Sequence, residues 1–350
     1  MSVVYNSFIP QNIAPPDVKR ISVYDSNGIK SGVISIPQEF RPATLGEKQY
    51  SFGAIADVHL LVSTAETDFT TALRYFKAQN MSFVCICGDM TNNGNNTQFA
   101  KYTEIVSANA VGMPVYAITG NHETYRGSDL PDIIEQYTGY PLYYSFECGN
   151  DVFIMLGIKS EGALFTDAEL QWLYNTLETN RNKRCFIFQH CFLGNGNTAT
   201  CGNAHGMYNN ACWGGDNGQK QMQAFESLLK HYKNTVWFHG HSHLKFRFQT
   251  ADCTYANFDT SGGFRSVHIP SITEPRVEDG SDTDTSPDYD YSASEGYVVD
   301  VYDGGVLLRG RDFISEKWIP VATYWIDTRL VDVPANTFTD STGTINTNQQ

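Results

Sequence analysis

The stretch Tyr50-Ser51-Phe52-Gly53-Ala54-Ile55-Ala56-Asp57-Val58-His59-Leu60 runs from an apolar, strand-like segment straight into an Asp-x-His pair. Four further segments follow the same grammar, in order: Cys87-Gly88-Asp89-Met90-Thr91-Asn92-Asn93-Gly94, Thr119-Gly120-Asn121-His122-Glu123, Gln189-His190 and Gly240-His241-Ser242-His243. Each stands at the end of an apolar run, read as strands over 52–56, 83–87, 115–119, 185–189 and 235–239. A strand that ends in a carboxylate, an imidazole or a carboxamide delivers that group to one edge of a sheet, where open α/β folds place their ligand sites. Thirty-two residues separate Asp57 from Asp89, and again Asp89 from Asn121, which suits successive strand-helix units presenting one group apiece. One such motif is weak evidence; five in order make an edge that can hold a pair of metal ions.

Outward from these strands the chain alternates with helices, a layered α/β plan. After the first strand, Ser63 and Glu66 can form a capping box for a helix whose Phe69, Leu73 and Phe76 share a face. A helix-like stretch covers 97–107, and Thr166 and Glu169 cap a helix carrying Leu170, Leu173, Tyr174 and Leu177. Met222, Phe225 and Leu229 mark another helix before the last motif, and 152–157 reads as a strand. Residues 1–49 alternate in a β-like way, so an N-terminal β extension is expected there. The main domain is expected over 50–328, closed by antiparallel strands at 297–302, 306–309 and 321–326, with a polar tail or linker over 329–350. Two long loops stand out: the Gly/Asn-rich 193–218, which begins three residues after His190, and the acidic 274–295.

The 350 residues carry a formal charge of -14, a long-range field that repels polyanions, so long nucleic acids are disfavoured partners. No basic start with an apolar core opens the chain and no apolar run approaches a membrane span, so a cytoplasmic protein without membrane attachment is the default expectation. Release or association with a virion-like assembly is the alternative. Of eight cysteines, Cys85, Cys87, Cys185 and Cys253 sit in or beside strand-like segments as small buried thiols, while Cys201 and Cys212 flank the Gly/Asn-rich loop and could pair in an oxidising compartment.

The five motifs resemble those of the calcineurin-like metallophosphoesterase superfamily, D-x-H, G-D, G-N-H-[DE], H and G-H-x-H, and the resemblance spans about 52–243. It implies a β-sandwich with helices on both outer faces. It also implies Asp57, His59 and His243 on one metal, Asn121, His190 and His241 on the other, and Asp89 bridging both. Mixed oxygen and imidazole ligands suit divalent Mn, Fe or Zn. Two such ions about 3.5–4 Å apart acidify a bridging water, whose hydroxide attacks phosphorus in line. His122 falls where the family has a catalytic histidine that donates to the phosphoryl oxygen or leaving group. Arg126 and His205 are weaker candidates for substrate contact, against a surface salt bridge for the first and an exposed loop histidine for the second. His239 is read as a core histidine, and His231 and His268 lie outside every motif.

Departures from related patterns narrow the substrate. Purple acid phosphatases place a tyrosine three residues after the bridging aspartate, where this chain has Asn92. Ser/Thr protein phosphatases place an arginine after that aspartate to hold a monoester dianion, and the segment 89–94 has none. The wording is closest to cyclic-nucleotide and glycerophosphodiester phosphodiesterases, so a small or surface-displayed phosphodiester is the expected substrate. A phosphomonoesterase, a nuclease of the same chemistry and a binding or structural module are the alternatives.

Overall fold

The computed structural model describes residues 20–24, 30–35, 47–160, 164–193, 213–246, 257–259, 263–277, 288–328 and 333–347. Its strands are β1 (Arg20–Tyr24), β2 (Lys30–Ser35), β3 (Lys48–Ile55), β4 (Phe83–Cys87), β5 (Val115–Ile118), β6 (Tyr143–Cys148), β7 (Asp151–Leu156), β8 (Cys185–Gln189), β9 (Thr235–His239), β10 (Phe258–Asp259), β11 (Ser266–His268), β12 (Arg276–Val277), β13 (Asp288–Tyr289), β14 (Glu295–Tyr302), β15 (Gly305–Asp312) and β16 (Lys317–Asp327). Its helices are α1 (Ala65–Ala78), α2 (Asn96–Asn109), α3 (Leu130–Thr138), α4 (Asp167–Thr179) and α5 (Gly215–His231), with a 3-10 turn at Glu123–Arg126.

Strand side chains alternate between two destinations, and that alternation sets the layers. Phe52, Ala54, Cys85, Cys87, Phe153, Met155, Phe186, Phe188, Val236 and Phe238 point into one core between two sheets. Their neighbours Ile55, Val84 and Ile86 face a second core under α1 to α3, while Ile154, Ile187 and Trp237 face a third under α4 and α5. Because both faces are covered, these strands read as continuous apolar runs. The result is a β-sandwich with helices on both outer faces. Its inner layer is aromatic: Phe52 meets Phe83 and Phe153 at 5.2 Å between ring centroids, and Phe188 stacks on Phe238 at 4.8 Å.

One sheet has the order β2-β1-β16-β15-β14-β3-β4-β5 and the other β10-β11-β9-β8-β7-β6. Within the first, β3, β4 and β5 are parallel; within the second, β7, β8, β9 and β11 are parallel. Their carboxyl ends meet at one rim of the sandwich, where Asp57, Asp89, Asn121, His190, His241 and His243 follow the last strand residues.

Several local expectations differ from the structure. The cap of α1 is Thr64, which makes no side-chain cap bond, because a turn closed by Ala65 N–H donating to Val62 O leads into the helix. The loop expected over 193–218 gives way to α5 from Gly215, its first turn tied by Gln219 Nε2 donating to Trp213 O at 2.7 Å. Residues 333–347, expected as polar tail, set Val333, Phe338 and Ile345 against the α4–α5 core, and Asn336 N–H donates to Glu178 at 2.8 Å. His205, Cys201, Cys212 and Cys253 lie outside the described residues.

Candidate metal centre

The rim loops hold the polar groups in a backbone conformation that non-glycine residues rarely adopt. Asp57, His59, Asp89, His241 and His243 have φ of 55, 47, 51, 72 and 60°. Left-handed backbone at a non-glycine residue costs on the order of 1–3 kcal/mol and persists only where surroundings impose it. Here the imposing contacts are backbone bonds between loops: Asp57 N–H to Gly88 O, Val58 and His59 N–H to Asp89 O, and Gly240 N–H to His190 O. Space is equally constrained. A Cβ on Gly120 would stand 2.1 Å from Asp89 Oδ1, and one on Gly240 would stand 2.6 Å from Asp57 Oδ2. The glycines of the G-N and G-H motifs let backbone approach the carboxylates.

Two groups of ligand atoms result, each with all atoms within 4.8 Å of one another: Asp57, His59, Asp89 and His243, and Asp89, His190 and His241. Asp89 belongs to both. Its Oδ2 is 3.1 Å from His190 Nε2 and 3.6 Å from His59 Nε2, while Asp57 Oδ1 is 3.2 Å from His243 Nε2. His59 Nε2 and His243 Nε2 face each other at 3.1 Å. Asn121, in the next loop, is buried.

The imidazoles are oriented from behind. His190 Nδ1 donates to Cys87 O at 2.7 Å and His243 Nδ1 to Glu274 O at 3.2 Å, so each neutral ring turns an Nε2 lone pair inward. His59 Nδ1 lies 3.3 Å from Asn92 Oδ1. His122 is placed the same way, Nδ1 donating to Asn92 O at 2.8 Å and Nε2 lying 4.0 Å from Asp89 Oδ2.

Whether these residues fit metal ions is answered by what they leave unpaired. Asp57 Oδ1, Asp89 Oδ2, Asn121 Oδ1 and His190 Nε2 are buried and make no hydrogen bond. Unpartnered buried polar atoms are costly and rare, and four converging on one rim call for a cation. The electrostatics agree. Burial would raise both carboxyls, but His243 and His190 beside Asp57, and His190, His122 and His59 beside Asp89, hold them well below the ordinary range. Burial likewise opposes a charged His190, yet Asp89 and Asp57 push it up to about 10. A proton on His190 does part of the neutralising that divalent cations do when bound. Two carboxylates, a carboxamide and four imidazoles form a donor set for first-row divalent ions.

Glu123 has no role in the sequence reading beyond its motif letter, yet it ties two rim loops together. Its buried Oε2 accepts from Gly120 N–H at 2.7 Å and Asp89 N–H at 3.1 Å, and its Oε1 accepts from Thr91 N–H and Oγ1, both at 2.7 Å. Burial, then the Asp89 charge, raises its pKa, while these donors oppose the rise. Ser271 and Thr273 hold the first loop through Oγ bonds to Asp57 O and Val58 O at 2.8 and 2.7 Å. Nothing in their local sequence marks them.

The remaining candidates stand apart. Arg126 directs Nε and Nη2 to Asp129 at 2.8–3.0 Å and Nη1 to Asn96 Oδ1 at 2.5 Å, a surface ion pair. His239 is buried with Nε2 on Ser266 Oγ at 3.0 Å, and burial and its neighbour His268 hold its pKa well below the ordinary value.

Residues 50–245 match the family model described as calcineurin-like phosphoesterase. Among solved structures, a dimetal phosphatase from Danio rerio is similar at TM-score 0.54 and 16% identity, covering 79% of this chain and 100% of that one. A Plasmodium protein described as GAP50, the anchor in the inner membrane complex, is similar at TM-score 0.53 and 13% identity, covering 85% of this chain and 99% of that one. At such identities the likeness speaks for the fold alone. No curated protein sequence matches the chain. With the family model spanning more than half of the chain and its motifs gathered at one rim, the protein belongs to the calcineurin-like phosphoesterase family.

Proposed function

We propose that the protein is a dinuclear metal-dependent phosphoester hydrolase that prefers diesters. The observation that carries this reading is the sharing of Asp89 by two ligand groups, with four buried unpaired atoms converging beside it. Two divalent ions would supply charge neutralisation at phosphorus and an acidified water for in-line attack. Asp57, His59 and His243 would hold one ion and Asn121, His190 and His241 the other, with Asp89 shared between them. His122 acts on the proton. With Nδ1 committed to the Asn92 carbonyl, its Nε2 carries a proton only in the imidazolium form, and that proton goes to the leaving oxygen.

The diester preference rests on the absence of a cation in the 89–94 segment and on Arg126 being engaged by Asp129 and Asn96, which leaves neither to hold a second phosphate charge. Among the described residues no helix is long and apolar enough to cross a membrane. The test is a metal-reconstituted assay of bis(4-nitrophenyl) phosphate beside 4-nitrophenyl phosphate. A higher kcat/KM for the diester is expected. A monoester preference would defeat the diester assignment, and metal loading without turnover of either ester would defeat the hydrolase.

A further inference from the structure

Six rings cross the rim in an unbroken row. Tyr125 lies 5.2 Å from His122, His122 4.5 Å from His59, His59 4.8 Å from His243, His243 6.2 Å from Tyr289, and Tyr289 6.0 Å from Tyr291. The inner three are the histidines of the metal centre and the outer three are open to solvent, with Tyr125 58%, Tyr289 36% and Tyr291 46% exposed. Among the described residues these three are the only exposed large hydrophobics that are aromatic, and all three are in this row. Exposed aromatic rings scattered by chance would not collect at one place.

Both outer groups are held firmly to the loops of the centre. Tyr125 sits in the 3-10 turn between buried Glu123 and Arg126, which is clamped to Asp129 and Asn96. Tyr289 pairs with Arg276 across the β12–β13 ladder, and Arg276 N–H donates to the His243 carbonyl at 2.7 Å. Tyr291 Oη donates to Glu274 Oε1 at 3.3 Å, on the residue whose carbonyl orients His243. With the backbones held, a stacking ligand orders only the two side-chain torsions of each tyrosine, which keeps the entropic cost small.

We propose that Tyr125 and the Tyr289–Tyr291 pair are two substrate platforms at the two ends of the reacting centre, and that the substrate is a phosphodiester with a flat ring on each arm. The inference rests on the hydrolase reading. His122 stands between Tyr125 and Asp89, so the leaving arm lies on Tyr125 and the retained arm on Tyr289 and Tyr291. A water gives one proton to solvent and its hydroxide oxygen bonds to phosphorus, the bond from phosphorus to the leaving oxygen breaks with its electron pair on that oxygen, and the oxygen takes the Nε2 proton of the His122 imidazolium, which becomes neutral. A nucleobase presents such a flat face, and stacking accepts it without base-specific hydrogen bonds, whereas a pyranose chair offers only C–H groups to the same tyrosines. In a chain of charge -14 such contacts supply affinity that an arginine cluster would otherwise provide. A monoester leaves one platform without a ring.

The test uses the metal-loaded protein and 4-nitrophenyl diesters whose retained arm is methyl, phenyl, thymidine or glucose. The phenyl ester should exceed the methyl ester in kcat/KM by about 5- to 150-fold, the range of one ring stacking on an aromatic side chain. Tyr289→Ala should bring that ratio toward one, Tyr289→Phe should keep it, and Tyr125→Ala should lower all four esters by a common factor. The better of the thymidine and glucose esters tells nucleoside from sugar. Calorimetric binding of diphenyl against dimethyl phosphate reads the platforms without turnover. Equal affinities, or a phenyl-to-methyl ratio unchanged in Tyr289→Ala, would overturn the platforms. Tighter diphenyl phosphate binding with no hydrolysis would support them while rejecting the hydrolase.

Discussion

Glu123→Gln is the substitution that asks most of the loop architecture, because it changes one atom and keeps the shape. The carboxylate accepts four hydrogen bonds, two on each oxygen. An amide nitrogen in place of either oxygen turns a donor toward donors. The milder orientation aims the nitrogen at Thr91, whose hydroxyl can rotate to accept while its backbone N–H is left without an acceptor. One orphaned buried donor costs about 1–3 kcal/mol, and the bonds that survive lose their charge assistance, so a total of about 2–4 kcal/mol follows. At roughly 2 °C per kcal/mol for a chain of this size, Tm should fall by about 4–8 °C. Because the same oxygens fix the Asp89 and Gly120 backbones, divalent metal affinity should also fall by about 10–100-fold, the usual consequence of losing a group that orients ligands. Thermal unfolding of the metal-free protein and a Mn or Zn titration measure the two effects. A variant within about 0.5 kcal/mol of the parent with unchanged metal affinity would refute the reasoning, since surface-like tolerance is incompatible with a carboxylate that ties two loops.

Three further outcomes are expected. Gly120→Ala should weaken metal binding at least as much as Glu123→Gln, because its Cβ would stand 2.1 Å from Asp89 Oδ1; intact affinity in a titration would show that the loop yields easily. His122→Ala should keep two metals per chain yet lower kcat by about 10²–10⁴, the scale of positioned proton transfer, with a smaller loss for nitrophenolate than for an alkoxide leaving group. An equal loss for both would remove the proton-donor role. Metal binding should release protons and strengthen as pH rises from about 6.5, the ordinary histidine value, through about 10, because metal needs the neutral ring that Asp89 and Asp57 hold protonated in the cation-free site. The stability that His190 gains from this pairing is correspondingly complete below the unfolded value and lost as pH passes about 10. Binding constants that do not change with pH, measured by calorimetry in two buffers, would contradict the sign.

The strands were legible because their apolar runs are buried on both faces: the expected bounds of β4, β8 and β9 coincide with those observed. β6, at a sheet edge with half-buried and exposed residues, carries no comparable signal; α3 does, since Leu130, Ile133, Ile134 and Tyr137 recur at helical spacing behind a first-turn proline and ahead of Gly139, and its shortness hid it among longer elements. The sequence Gly-Asp-Asn-Gly at the start of α5 argues against a helix, and tertiary contacts override it. Beyond residue 328, Val333, Phe338 and Ile345 are too far apart to show periodicity, so their burial could not be read from pattern. At the site, the residues named from the motifs come together in space. The atoms that aim them do not show in any motif: the carbonyls of Cys87, Asn92 and Glu274 are backbone, and Ser271 and Thr273 reach Asp57 and Val58 across more than two hundred residues. Side-chain identity records a ligand; it does not record the carbonyl behind it.

The central claim is that Asp89 joins two metal sites, and metal stoichiometry in the parent and in Asp89→Asn tests it most directly. Elemental analysis after reconstitution and desalting should find two divalent ions per chain in the parent and a deficit at both sites in the variant, because one carboxylate neutralises two cations and the neighbouring Glu123 is engaged with four donors. Two ions retained at parental affinity in Asp89→Asn, or a single ion in the fully loaded parent, would contradict the account.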